Sequence, residues 1–132
     1  MDDFTKTPAD NDLFAKHSGI RLVAVGKGSA RAELEIKEHH LNGLDIAHGG
    51  VIFTLADMAF AAASNSHGVD AVAVNVSISF FKAVQKGKLF SEATEISRNR
   101  KLATYRIDVT DEAGELIASM QGTAYRKTPR KQ

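Results

Sequence analysis

The sequence of 132 residues predicts an α+β domain, in which one long central helix lies against a curved antiparallel sheet. The first observation is a run of good helix formers at residues 49–64 that is apolar on nearly every side. The second is a period-two alternation of apolar and polar side chains at residues 72–80 and 102–110. A helix that is apolar all round must be covered on more than one side, and a strongly curved sheet wrapped around it would do so.

Local signals predict the other elements. A short amphipathic helix that carries Leu13, Phe14 and His17 is predicted to be capped by Asp10 or Asn11 and to be stopped by Gly19. Strands are predicted at residues 20–25, 30–37, 72–80, 88–98, 102–110 and 115–126, and a hairpin turn at residues 111–114. Strict alternation in residues 72–80 places five apolar side chains on one face: Val72, Val74, Val76, Ile78 and Phe80.

These elements divide the chain into three parts. Residues 1–19 are predicted to form a leader with the short helix, and residues 20–127 to form the domain itself. Residues 128–132, TPRKQ, are predicted to form a flexible basic tail.

Composition excludes several classes of function. The 17 basic and 16 acidic residues give a net charge of +1, so no overall field favours nucleic acid. The absence of cysteine excludes disulfides, thiolate metal sites and a cysteine nucleophile. No apolar stretch is long enough to cross a bilayer and the polar first residues lack a signal-peptide pattern, so we expect a cytoplasmic protein without a membrane partner.

Two glycines at the start of the long helix are the first candidates for chemistry. Gly49 and Gly50 leave the first backbone N–H groups open to close approach, and the helix dipole favours negative charge there. A carbonyl that becomes an oxyanion during acyl transfer would be stabilised at this point. The alternative is that the two glycines only let the chain turn tightly into the helix.

Asp57 is the second candidate, because its neighbours on the helix are apolar. Burial should raise the pKa of this carboxyl towards the range of a general base, although a structural carboxylate at the helix edge is the alternative. Gly49 and Asp57 are eight residues apart, which is about 12 Å along one helix. If the two act together, Asp57 must come from a second copy of the chain, which predicts a composite site across a two-fold dimer.

The segment from Asn42 to Asp57 resembles the PaaI-type (phenylacetic acid degradation) hot-dog acyl-CoA thioesterases. The resemblance rests on the pattern HGGxxFxLAD at residues 48–57, on Asn42 six residues before the histidine, and on the four strands that follow. It implies the hot-dog fold, a sheet wrapped around one central helix. It also implies that the Gly49 amide polarises the thioester, that the partner subunit's Asp57 activates water or attacks directly, and that Asn42 and His48 position the substrate.

The resemblance also implies a substrate and an assembly. We expect hydrolysis of an aryl-acetyl-CoA, as in phenylacetate degradation, or of a medium-chain acyl-CoA, by a homotetramer built as a dimer of dimers. No cofactor is expected, since coenzyme A is part of the substrate. Some relatives place a serine or threonine on the next strand to hold the water, where this chain has Ala73. Asn75 could replace it only if the strand turned that side chain inward.

The coenzyme A phosphates require cations near the mouth of the site. The turn at residues 97–99 resembles the region that contacts the nucleotide in related enzymes, so Arg98, Asn99 and Lys101 are the candidate ligands. The alternative is a solvated hairpin turn.

Other functions fit the sequence less well. A hot-dog enoyl-thioester hydratase would carry prolines beside its catalytic histidine, and the only prolines here are distant from His48. A non-catalytic acyl-CoA-binding module would have no use for the buried carboxylate of Asp57. No metal is expected, because the adjacent His39 and His40 form a poor chelating pair. No GxSxG segment supports a serine hydrolase.

Overall fold

The structure is a computed structural model that describes residues 8–129, apart from the side chain of Thr128. Its two α-helices are α1 (Leu13–His17) and α2 (Gly49–Ser64), and short 3-10 helices lie at Pro8–Asn11 and Glu38–His40. The strands are β1 (Arg21–Gly26), β2 (Ser29–Glu35), β3 (Val69–Phe80), β4 (Lys88–Arg98), β5 (Leu102–Asp111) and β6 (Leu116–Pro129). Residues 1–7 of the predicted leader and residues 130–132 of the predicted tail lie outside the described residues.

All six strands form one antiparallel sheet in the order β1-β2-β4-β5-β6-β3. The predicted α+β architecture with one long helix is confirmed, and α2 has the predicted bounds. The sheet is not closed, so β1 and β3 are its edges. β3 is 12 residues long and pairs with β6 on one side only. On its other side the N–H and C=O of Ala71 bond the side chain of Asn65, and within the described residues the backbone groups that follow Ala71 are open.

The core lies between α2 and the concave face of the sheet. Leu55, Ala59 and Phe60 of α2 are at most 1% exposed, and they pack among buried side chains of β5 such as Tyr105 and Ile107. The rings of Phe60 and Tyr105 are 5.8 Å apart at a tilt of 58°. This packing fixes the helix on the sheet and so fixes the direction of its N-terminus.

Two details at the chain ends differ from the sequence prediction. Asp12, and neither Asp10 nor Asn11, caps α1, because its Oδ1 accepts a hydrogen bond from the N–H of Ala15 at 3.0 Å. β6 continues to Pro129, which pairs with Val69 of β3, so the first two residues of the predicted tail belong to the sheet.

The predicted alternation along β3 is interrupted by a β-bulge. Ala73 pairs with Ala124 and Asn75 pairs with Thr123, so Val74 is the extra residue. Opposed residues share a face, and Ala124 is buried against the core. Ala73 therefore points to the inner face and Asn75 to the outer face. The prediction that Val72 shares a face with Val76 is wrong, because the bulge shifts the alternation by one residue.

No helix within residues 8–129 is long and apolar enough to span a membrane.

Candidate active site

The N-terminus of α2 is capped by a histidine. His48 has extended backbone angles, and its Nδ1 accepts a hydrogen bond of 2.8 Å from the N–H of Gly50. An ideal Cβ on Gly50 would lie 2.9 Å from that Nδ1, so only glycine lets the ring take this position. The imidazole therefore carries its proton on Nε2, away from the helix.

The amide of Gly49 is the open donor at this helix end. Gly50 donates to His48, and Val51 and Ile52 both donate to the carbonyl of His48. Within the described residues the N–H of Gly49 has no acceptor. The sequence predicted that both glycine amides are bare, and for Gly50 this is wrong because the capping ring occupies it.

Gly49 opens into a cavity of about 280 Å³. The cavity is lined by Asn42, Ile46, Ala47, Gly49, Ile52, Phe80, Phe81, Lys82 and Ala83. The ring of Phe80 at the end of β3 lies 3.4 Å from the position that a Cβ on Gly49 would take. The wall of the cavity is mostly apolar. The backbone amide of Gly49 and the side-chain amide of Asn42 are donors that suit a carbonyl oxygen.

Asn42 is that second donor. Its Oδ1 accepts hydrogen bonds from the N–H groups of Leu44 at 2.9 Å and Ile46 at 3.4 Å, which holds the loop before α2. Its own N–H donates to the carbonyl of Ile46 at 2.8 Å. The side-chain NH₂ has no acceptor within residues 8–129, so it can donate into the cavity that Asn42 shares with Gly49.

Asp57 lies two turns along the same helix and is partly buried. Burial raises the pKa of its carboxyl, and the negative charge of Asp12 on the α1 cap raises it further. Within the described residues the carboxylate has no hydrogen bond or ion pair. Asp57 does not line the Gly49 cavity, so a single chain holds the Gly49 and Asn42 donors apart from the carboxylate.

The partly exposed side of α2 is a narrow stripe. Gly50, Thr54, Asp57 and Ala61 follow one another at spacings of three and four residues, and none of them is fully buried. The sheet of the same chain leaves this stripe of α2 uncovered. This agrees with the prediction that the helix must be covered on more than one side.

His48 faces a different cavity from Gly49. This second cavity of about 310 Å³ is lined by Phe14, His17, Ser18, His39, His40, Leu41, His48, Gly50, Val51 and Thr54. The ring of His40 has a structural role, because it forms hydrogen bonds with the N–H of Lys37 and the carbonyl of Ser18. No group of three or more metal-ligating side chains occurs within residues 8–129, and the absence of a metal remains a prediction.

The three candidate phosphate ligands do not form one cluster of free donors. Arg98 contacts His67 and lies 3.8 Å from a carboxylate oxygen of Glu95. Asn99 holds the β4–β5 hairpin, because its Oδ1 accepts from the N–H groups of Lys101 and Leu102. Of these three, Lys101 alone is an exposed cation for which the described part of the chain provides no ion pair.

Two further positions were missed by sequence reasoning. Asp12 influences Asp57 although 45 residues separate them, and no short-range pattern could have connected the two. Arg126 reaches the β4–β5 hairpin, where its Nη1 donates to the carbonyl of Asn99 at 2.7 Å. The only sequence signal for Arg126 was the alternation of apolar and polar residues along β6. This alternation does not show which strand ends lie beside β6.

The family is decided by comparison with known proteins. A family model described as "Thioesterase superfamily" matches residues 44–118, more than half of the chain and including Gly49, Asp57 and β3. The chain belongs to the thioesterase superfamily. The predicted resemblance to PaaI-type hot-dog thioesterases, the predicted fold and the predicted enzyme class, a thioester hydrolase, are thereby confirmed.

Individual members of the superfamily support this assignment. Acyl-coenzyme A thioesterase PaaI from Escherichia coli is 30% identical over 118 residues, which cover 89% of this chain and 84% of that protein. The phenylacetic acid degradation protein PaaI from Thermus thermophilus, solved as a variant, has a TM-score of 0.84 and 36% identity, covering 88% of this chain and 100% of that one. A Streptococcus mutans protein solved with acetyl CoA has a TM-score of 0.81 and 28% identity, covering 85% and 91%.

Proposed function

We propose that this thioesterase hydrolyses a coenzyme A thioester of an aryl-acetic or medium-chain acid, in the cytoplasm and without a further cofactor. One observation carries the proposal. The open Gly49 amide and the Asn42 amide face one cavity, while a carboxylate of raised pKa lies two turns away on the same helix. Two donors and a base of this kind are what acyl transfer to water requires.

The two amide donors and the carboxylate would lie in one site if two chains paired through β3. The open side of this 12-residue edge strand can continue the sheet into a second copy. A two-fold axis would set the two α2 helices antiparallel, so that the partner subunit's Asp57 approaches the Gly49 cavity. The apolar side chains exposed on β3, Val72, Val74 and Phe80 (46%, 57% and 50%), support burial in such an interface.

The reaction would follow from this geometry. The thioester carbonyl accepts hydrogen bonds from the N–H of Gly49 and the NH₂ of Asn42, which stabilise the negative charge that develops on the oxygen. The partner subunit's Asp57 takes a proton from water as the water attacks the carbonyl carbon. Alternatively, the carboxylate of the partner subunit's Asp57 attacks the carbonyl carbon and forms, as coenzyme A leaves, a mixed anhydride that water then hydrolyses. In both routes the carbon–sulfur bond breaks, coenzyme A leaves as a thiolate that gains a proton, and the acid is released.

The walls of the cavity suit an apolar acyl group. Ile52, Phe80 and Phe81 contribute aliphatic and aromatic surface, and Lys82, which is paired with Glu115, is the one charged side chain in the lining. These features support an aryl-acetyl or medium-chain acid, with phenylacetyl-CoA as the first substrate to try.

Pairing of dimers into a tetramer belongs to the same proposal. Leu13 and Phe14 of α1 are 77% and 68% exposed, which supplies apolar surface for a second dimer. Sedimentation at several protein concentrations would separate a dimer from a tetramer.

Thiol release from a panel of acyl-CoA substrates tests the proposal. Phenylacetyl-CoA, benzoyl-CoA and straight chains of increasing length would be compared, since a protein without cysteine is silent to thiol reagents. Asp57→Asn should abolish release, whereas Glu92→Gln, an exposed carboxylate on β4, should not change it. Binding of acyl-CoA without release would indicate a binding module, and hydration of an enoyl-CoA would indicate a hydratase.

A further inference from the structure

The short helix α1 is tied at its C-terminal end to the start of α2. The carbonyl of Ser18, directly after α1, accepts a hydrogen bond of 2.7 Å from the ring of His40. The carbonyl of His40 in turn accepts a hydrogen bond of 2.8 Å from the N–H of His48, the cap of α2. Because one residue connects the two helices in this way, the end of α1 lies beside the start of α2.

From this point α1 runs back along the open stripe of α2. Phe14 of α1 and Thr54 of α2 line the same cavity, so the two helices lie side by side there. Asp57 follows Thr54 by three residues and lies on the same side of α2. Asp12 precedes Phe14 by two residues, at the end of α1 that is farther from Ser18. The N-terminal end of α1 is therefore directed towards the part of α2 that carries Asp57.

Asp12 has a fixed position at this end of α1. Its Oδ1 accepts a hydrogen bond of 3.0 Å from the N–H of Ala15, which makes Asp12 the cap of the helix. Its carbonyl accepts from the N–H of Lys16 at 3.1 Å, and its own N–H donates to the carbonyl of Ala9 at 3.2 Å. Ala9 and Ala15, on either side of it, are 4% and 0% exposed and belong to the core. The packing of these two alanines and the cap together hold the carboxylate of Asp12 in place.

The carboxylates of Asp12 and Asp57 are like charges without a counter-ion. Within residues 8–129 neither of them forms an ion pair, and Asp57 is partly buried. The negative charge of Asp12 raises the pKa of Asp57 beyond the effect of burial. The repulsion between two such carboxylates is relieved when one of them takes up a proton.

Other titratable groups packed around α2 lie elsewhere or do not act on Asp57. α2 itself carries no second charged residue. The groups that the sheet and the following loop bring to α2 surround its C-terminal end at Ala63, and they are His67, Glu95, Arg98, Tyr105 and Arg126. The groups beside its N-terminal half are Asp10, Lys16, His17, His39, His40 and His48. Among the described residues Asp12 is the one whose charge raises the pKa of Asp57.

We propose that Asp12 is a positioning residue of the thioesterase: fixed at the cap of α1, it acts through Asp57 of its own chain and makes that carboxylate a stronger proton acceptor. The inference rests on the proposed function and adds α1 to the active site. As the oxygen of water bonds to the carbonyl carbon, a proton passes from the water to Asp57, whose charge is neutralised. This step ends the repulsion by Asp12, so the field of Asp12 favours the transition state over the ground state.

A titration of Asp57 by carboxyl-carbon NMR tests the proposal without catalysis. Native protein, Asp12→Asn and Glu92→Gln would be labelled at the aspartate carboxyl carbons, and the Asp57 signal is the one that Asp57→Asn lacks. Asparagine caps helices as well as aspartate does, so Asp12→Asn removes the charge and keeps α1. The midpoint of the Asp57 titration should move to lower pH in Asp12→Asn and stay unchanged in Glu92→Gln. Equal midpoints in native protein and Asp12→Asn would overturn the proposal.

The pH profile of kcat/KM connects Asp12 to the reaction. In Asp12→Asn the rise of kcat/KM should occur at lower pH, so the variant should be more active than the native protein in acid. On the plateau at higher pH it should be several-fold less active, because Asp57 is then a weaker base. The two profiles therefore cross, whereas a loss of folded protein lowers the rate by one factor at every pH. Profiles that coincide, or that differ by a constant factor, would overturn the proposal.

Two further substitutions separate the charge of Asp12 from its cap. Serine is a good cap and alanine is not, so Asp12→Ser should behave as Asp12→Asn does. Asp12→Ala should show the same shift of the profile together with a lower thermal stability. A shift confined to Asp12→Ala would assign the effect to the cap and overturn the role of the charge. If no thioester is hydrolysed, the proposed function fails, whereas the NMR titration still decides whether Asp12 acts on Asp57.

Discussion

The two halves of α2 differ in how completely their own chain covers them. Ala59, Phe60, Ala62 and Ala63 of the second half are at most 1% exposed. The nine residues from Gly49 to Asp57, which we call the open half, present within the described residues an amide without an acceptor at Gly49, a ring cap from His48 and a carboxylate without a partner at Asp57; the residues after Asp57 form the packed half. Because the packed half anchors the helix to the sheet, the open half can hold polar groups in fixed positions even though leaving them without partners lowers the stability of the fold. Substitutions in the first half should therefore change activity, and those in the second half should change stability.

The largest effect is expected at Asp57, in the open half. Asp57→Asn removes the only base that the proposed mechanism uses, so kcat should fall by a factor of roughly 10³, the scale of general acid–base catalysis. The free energy of unfolding should stay the same or rise, because a neutral amide replaces a partly buried carboxylate that has no hydrogen bond or ion pair within residues 8–129. Thiol release and thermal unfolding at one fixed protein concentration measure both. A large loss of stability would place Asp57 among the structural residues instead.

The pH dependence of the same residue sharpens this prediction. Because the pKa of Asp57 is raised, its base form appears at a higher pH than that of an ordinary aspartate, so kcat/KM should rise with pH through that raised pKa. The raised pKa also means that the folded state binds the proton more tightly than the unfolded state. Stability relative to Asp57→Asn is therefore best at low pH and is lost as pH rises through the folded pKa. Between pH 4 and pH 7 the native protein should therefore lose stability relative to Asp57→Asn, and thermal unfolding at both pH values measures this difference.

The second largest effect is expected in the packed half. A Cβ on Gly122 of β6 would lie 2.8 Å from two ring atoms of Phe60, so the buried ring must move. Gly122→Ala should lower the free energy of unfolding by about 2–3 kcal/mol, as overpacking of cores does, while kcat per folded molecule is preserved. Gly43→Ala is the matched control, because no atom lies within 4 Å of its added Cβ and its φ is not positive. Equal stabilities of the two variants would contradict the comparison.

The sequence predicted the packed half more completely than the open half. The apolar run of α2 and the alternation along β5 report on burial, and burial is what holds Phe60 and Tyr105, so the architecture could be inferred from local patterns. The residues around the open half come from distant segments. Asp12 affects Asp57 across a helix packing that no local signal encodes, and the bulge at Val74, which turns Asn75 outward, leaves no mark in the alternation of residue types.

A smaller loss is expected at the end of the packed half, where Tyr105 donates a 2.8 Å hydrogen bond to Glu95. Burial alone would raise the pKa of Glu95, but hydrogen bonds from Tyr105 and His67 and the charges of His67 and Arg98 hold it below the usual range. Tyr105→Phe should cost about 1–2 kcal/mol near neutral pH, without a change in kcat.

The pH profile distinguishes this loss from a simple packing defect. Because the folded pKa of Glu95 is lowered, its contribution exists above the ordinary carboxyl pKa and is lost as pH falls through the folded value. The difference between native protein and Tyr105→Phe should therefore shrink in acid. Tyr125→Phe, at an exposed ring, should leave stability unchanged at every pH. A penalty for Tyr105→Phe that is the same at pH 7 and in acid would contradict the role of the carboxylate.

The smallest effect is expected at the start of the open half. Measuring it shows whether His48 acts as a helix cap or contacts the thioester. His48→Ala removes the acceptor for the Gly50 N–H and should cost about 1 kcal/mol of stability, the usual value of an N-cap. His48→Asn should restore that stability, since asparagine is a good cap, and with it most of kcat, because the cap fixes the direction of the Gly49 amide. A His48→Asn variant that is stable but inactive would show instead that the imidazole Nε2–H contacts the thioester.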